Sequence, residues 1–109
     1  MTSRTPREII IAARTLIIDT KRWTTAAGAR DERRRPVSPS SPKAVCWCAL
    51  GAINKVAWGD DQMANDALDV LYDAARVRGV AHINDHDGHA AVLALYDRAI
   101  ASLANGAAL

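Results

Sequence analysis

Residues 20–43 constrain this 109-residue chain more than any other stretch. Gly28, Pro36, Pro39 and Pro42, the run Ser38-Pro39-Ser40-Ser41 and the block Arg33-Arg34-Arg35 rule out a continuous helix there, because each proline removes an N–H donor and clashes with the preceding turn. On both sides, apolar residues recur at helical spacing. The chain is therefore expected to be helical and interrupted once, early, by a long connection. Connections of that length inside a compact domain are functional or disordered.

From this pattern we expect an all-α fold: a compact four-helix domain spanning 1–109, with helices near 6–19, 42–58, 61–78 and 86–104 and a long basic loop over 20–41. Thr5, Pro6 and Glu8 form a capping-box entrance to the first helix, whose inward face is Ile9, Ala12, Ala13, Leu16 and Ile17. Within the loop, Ala29-Arg30-Asp31 and Arg35-Pro36-Val37 are candidate arms of a small hairpin, and Trp23 is expected to pin its start. Ser41 and Pro42 resemble the cap and first position of the second helix, which is apolar nearly all round and so is expected to be the central one. Asp60 or Asp61 caps the third helix, whose inward face is Met63, Ala67, Val70, Leu71, Ala74 and Val77. Residues 80–85 read as extended or turn-like. Asn84, Asp85 or Asp87 then caps the last helix, which buries Val92, Leu95, Tyr96, Ala99, Ile100 and Leu103.

Half of the residues are apolar and 24% are charged, an ordinary balance for a chain of one domain's length. The longest apolar run, Ala44–Ile53, is too short to span a bilayer. With no secretory pattern at the N-terminus, the expected location is cytoplasmic and no membrane partner is expected. Cys46 and Cys48, two apart on an expected helix, point away from each other and should stay reduced. The net charge of +2 conceals a split. Residues 1–43 carry ten Lys or Arg against four Asp or Glu, and residues 44–109 carry four against eight.

A larger pattern emerges when these pieces are taken in order: Arg22-Trp23, Ala29-Arg30-Asp31, Trp47-Cys48-Ala49-Leu50-Gly51-Ala52, Ile83-Asn84-Asp85 and Val92-Leu93-Ala94-Leu95-Tyr96-Asp97-Arg98-Ala99-Ile100. From about Glu8 to Ser102 the chain resembles a domain-of-unknown-function family of small proteins from bacteria and their phages. That family shows a Trp, a Trp-Cys-x-x-Gly-Ala segment, an Asn-Asp turn and a terminal Val-Leu-x-Leu-x-Asp-Arg-Ala-Ile helix. The resemblance implies a shared fold and brings no activity. Arg34 departs from it, standing where similar proteins tend to have Gly before Arg-Pro-Val, which tells against a tight turn at that point.

Three groups of residues could carry chemistry. His82, His86 and His89, with Asp85 and Asp87 nearby, are candidate ligands for a transition metal, although ordinary capping with exposed His is the favoured explanation of this segment. Cys48, at the start of a helix whose N-terminus could lower a thiol pKa, is a candidate nucleophile with His89 as base and Asp85 as its orienter. Arg30, Asp31, Arg33, Arg34 and Arg35, with Trp23, form a candidate binding surface that could meet a protein or the phosphates of a nucleic acid. Each signal is weak alone, and no phosphate loop or hydrolase elbow is present. The leading expectation is a module, more non-enzymatic than enzymatic and without a cofactor, that binds a partner protein or its own copy through the basic loop and exposed helix faces, in one version as a phage or host-interaction factor. The alternatives are a small-molecule or metal site near Cys48, Asn84, Asp85 and His89, and nucleic-acid binding through the loop.

Overall fold

A computed structural model of the chain describes residues 4–107. Thr5 accepts the Glu8 amide at 3.2 Å and the Glu8 carboxylate accepts the Thr5 amide at 3.0 Å, closing the capping box that starts α1 (Pro6–Ile17). Helix α1 buries Ile9, Ile10, Ala13 and Ile17. It packs against α2 (Ala49–Val56), α3 (Asp61–Ala75) and α5 (His89–Ala107). The central helix is thus α1, not the second one. The apolar face is also turned slightly from expectation, with Ile10 buried and Ala12 exposed.

The fold is mostly helical but is not all-α, and it is not a clean four-helix bundle. Between α1 and α2 lie a 3-10 turn (Thr20–Arg22) and three two-residue strands, β1 (Ala29–Arg30), β2 (Pro36–Val37) and β3 (Cys46–Trp47). They form an antiparallel sheet in the order β2-β1-β3, with Ala29 opposite both Val37 and Trp47 and Arg30 opposite both Pro36 and Cys46. The expected hairpin arms are β1 and β2. The third strand explains why the second helix starts seven residues later than expected. Val45 donates to the Arg30 carbonyl at 2.9 Å, which draws Ala44–Trp47 into the sheet. Ser41 caps a local turn by accepting the Lys43 amide at 3.1 Å, and the helix cap is Cys48. A short apolar run buried on both faces reads alike as strand or helix, and Cys46 and Trp47 are both buried.

Asp60 caps α3 as expected, accepting the Met63 amide at 3.1 Å. This helix stops at Ala75, short of 78, because Arg76 turns to φ 57° and a 3-10 turn follows. Helical periodicity ends with it, so Val77 is fully exposed. Residues 80–87 are not extended. They form a short helix α4 (Val80–His82) that widens into a π-type turn (Ile83–Asp87). Gly88, at φ 98°, separates that turn from α5, which begins at His89. Across the described residues, the core is Ile9, Ile10, Ala13 and Ile17 with Ile53, Leu71, Val80, Ile83, Val92, Leu95, Tyr96 and Ala99. Arg14 and Asp97 pair at 2.8 Å on the seam between α1 and α5. No helix among the described residues is long and apolar enough to cross a membrane.

One contact ties the sheet to the helices. The Cys48 amide donates to the Gly28 carbonyl at 3.1 Å, and a Cβ on Gly51 would lie 1.9 Å from that same oxygen. Only glycine lets the first turn of α2 approach this backbone. Gly51→Ala should therefore cost on the order of 1–3 kcal/mol or more through forced displacement of main chain. Urea denaturation of the two proteins checks it, and equal midpoints would show that the approach is not required.

Candidate functional site: the Asn84 joint and the basic hairpin

Asn84 is 2% exposed, and all four hydrogen-bonding positions of its amide are used. Its Oδ1 accepts from Trp23 Nε1 at 2.7 Å and from the Ala49 amide at 2.9 Å. Its Nδ2 donates to the Thr24 carbonyl and to Asp85 Oδ1, both at 3.0 Å. Indole N–H and backbone N–H can only donate, so the orientation of this amide is fixed by its partners. Asn84 was expected to cap the helix that follows it. It instead serves the N-terminus of α2, where Ala49 is the first helical residue. Cys48 Sγ takes a second free donor there, the Gly51 amide at 3.2 Å. Tyr96 of α5 donates its hydroxyl to the Ala49 carbonyl at 2.5 Å, and burial pushes its ionisation well above the usual range.

Asp85 extends the joint by accepting the Ala26 amide at 3.0 Å. Ala26 holds φ 61°, a conformation costing an L-residue about 1–2 kcal/mol, so this bond fixes a strained loop. Hydrogen bonds from Asn84 and Ala26 hold the Asp85 carboxyl below the usual carboxylate range. A recess of about 200 Å³ is lined by Ala26, Ala27, Cys48, Leu50, Ala81, Asn84 and Asp85. The cysteine, the Asn-Asp pair and Trp23 do come together, as the sequence suggested.

His89 packs on Trp23 but is not among the residues that line the recess. Its Nε2 lies 2.7 Å from the Ile17 carbonyl, which can only accept, so that nitrogen carries the proton. Its ring stands 5.4 Å from that of Trp23. Nor is Cys48 activated. Burial raises its thiol pKa, outweighing the amides of Gly51 and Leu50, and the charge of Asp85 adds to the rise. The expected lowering by the helix N-terminus is thus reversed. Cys46 and Cys48 are both free, one in β3 and one at the cap, so they do not share a helix. His82 and His86 stand together with ring centroids 4.6 Å apart, while His89 is engaged with the Ile17 carbonyl. Among the described residues, no group of three or more His, Cys, Asp or Glu is placed to hold a metal ion.

The hairpin is ordered by its own charges. Asp31 is 5% exposed, accepts the amides of Arg33 and Arg35 at 2.9 Å through Oδ1, and pairs with the Arg35 guanidinium at 2.9 Å through Oδ2. These donors hold its carboxyl below the usual range. Arg30 is turned inward to Thr24 Oγ1, the Thr25 carbonyl and the Arg34 carbonyl at 2.8–3.1 Å. Arg34 leans on Thr24 Oγ1 and Cys46 Sγ. It sits at φ 66°, so the tight turn that its side chain argued against is made. Outside the turn, Asp31, Glu32, Arg33, Arg35, Pro42, Lys43 and Val45 line an open cleft of about 460 Å³.

The residues gathered at the joint are those of the recurring pattern: Trp23, Cys48, Gly51, Asn84 and Asp85. The match to the family described as a family of unknown function covers residues 1–102. This chain belongs to DUF6197. No curated protein and no solved structure matches it. In this DUF6197 member, sequence reasoning missed the roles of Thr24, Ala26 and Tyr96, and named Gly51 only as part of the family pattern. Of the three missed, Tyr96 carried a signal, since a tyrosine on the apolar face of a helix requires a hydroxyl partner. The others take part through backbone groups or a close approach.

Two outcomes follow. Asn84→Ala and Asn84→Leu should each lower stability by about 3 kcal/mol, because both leave buried partners without hydrogen bonds. Thermal or urea melts check this, and rescue by Leu would show that volume rather than hydrogen bonding matters. Arg34→Gly should raise stability by about 1 kcal/mol by removing the left-handed cost. A lower melting temperature would mean that the guanidinium contacts outweigh the strain.

Proposed function

We propose that this protein is a non-enzymatic binding module that engages a partner protein, a second copy included, through its basic hairpin. The observation that carries this reading is the open cleft beside β1–β2, where Arg33, Arg35 and Lys43 surround Val45, which is 40% exposed. An apolar contact ringed by charge on a fixed backbone suits protein recognition, with the charges setting encounter and register. The Asn84 joint acts as the clamp that holds this surface. Its recess, at about 200 Å³, is below the ~300 Å³ at which small-molecule pockets begin, and its thiol is unactivated.

Nucleic-acid binding receives less support. Arg30 is turned inward and Arg35 is paired with Asp31, which leaves few cations free for phosphates.

The test is a photo-crosslinking amino acid at Val45, with Asp69 on α3 as the control position, in cells that express the protein. We expect a discrete adduct from position 45, reduced several-fold by Arg33→Glu with Lys43→Glu. A mass of two chains would identify the partner as a second copy. Equal labelling from both positions, or none from 45, would remove the hairpin from consideration.

A further inference from the structure

The turn that supplies Asn84 also presents two imidazoles outward. His82 ends α4 and His86 lies four residues on, within the π-type turn. Residues so spaced share one face of a helix, the relation by which paired histidines reach a single metal ion. Their ring centroids are 4.6 Å apart with planes tilted by 39°. Both side chains are exposed, and neither is hydrogen-bonded or ion-paired to another described residue.

The backbone beneath them is held in place. Val80, Ile83 and Asn84 are buried, and Asn84 is bonded on all four sides. Bringing the two rings together therefore costs little further ordering, which is the main expense of a surface chelate. The neighbouring carboxylates add a favourable field for a cation. Asp87 is paired with Arg78, and Asp85 is fixed by Ala26 and Asn84 through one oxygen only. Two imidazoles beside fixed negative charge suit a borderline transition-metal ion and not calcium or magnesium, which require oxygen cages.

We propose that His82 and His86 form a two-imidazole chelate for an exchangeable divalent transition-metal ion of the copper, nickel or zinc class. The remaining coordination positions are left for water or an incoming ligand. The site is distinct from the hairpin surface and does not depend on it. It differs from the three-histidine set suggested by the sequence, because His89 is engaged with Ile17.

The experiment is calorimetric titration of tag-free, full-length protein with Cu(II), Ni(II) and Zn(II), beside His82→Gln, His86→Gln and the double variant. Both side chains are exposed and unbonded, so the variants should fold, and circular dichroism melts verify that. We expect affinity in the order Cu(II) above Ni(II) and Zn(II), a loss of at least tenfold in either single variant, and the electron-spin-resonance signature of two imidazole nitrogens on Cu(II). Variants that bind as tightly as the parent would place the metal elsewhere and overturn the assignment. A parent that binds no better than the double variant would overturn it equally.

Discussion

Asn84 joins three stretches of chain: the start of the connection at Trp23 and Thr24, the first turn of α2, and the π-type turn on which it stands. An amide is suited to this because it accepts and donates at once, so it can take two N–H groups on one side and reach a carbonyl and a carboxylate on the other. A buried amide with all four positions filled is directional in a way that apolar packing is not. It places α4 and its turn at one distance from α2. Asp85, accepting the Ala26 amide, fixes the loop just before β1, and the hairpin beyond it is ordered by its own charges.

The charge split along the chain acquires a local meaning in this light. In the basic first half, several charges find partners within the loop itself. Part of it organises itself: Arg35 closes on Asp31, Arg30 braces Thr24 and Thr25, and Arg34 bends through a left-handed turn to reach Cys46 and Thr24. Two-residue strands have little stability of their own. Here a buried carboxylate and an inward guanidinium bond the turn and the preceding loop beside them.

Much of the helical framework was legible in the sequence, because capping and periodicity are local. Thr5 and Asp60 cap the helices they precede, and α5 buries the residues its spacing indicates. The hairpin arms could be read from their turn residues. What failed was non-local. Cys46 and Trp47 look helical because the run around them is apolar on all sides, and only pairing with β1 makes them a strand. Asn84 looks like the cap of the helix after it, and it serves a helix 35 residues before it. At the candidate site, Trp23, Cys48, Asn84 and Asp85 were identifiable as a group. His89 was not separable from them, since its partner is a backbone carbonyl of α1 that leaves no mark in residue type.

The separation between Asn84 and the groups it closes has a consequence for how the protein is made. Helix α2 and the connection before it are complete in sequence by residue 56, yet an N-terminal amide of that helix and the indole of Trp23 wait for a side chain that leaves the ribosome later. Tyr96, which secures the Ala49 carbonyl, comes later still. Contacts of such long sequence separation form only after their loop-closure cost has been met. The joint can close only once residues 84–96 have been made, so the last-made part of this chain completes contacts of the first-made part.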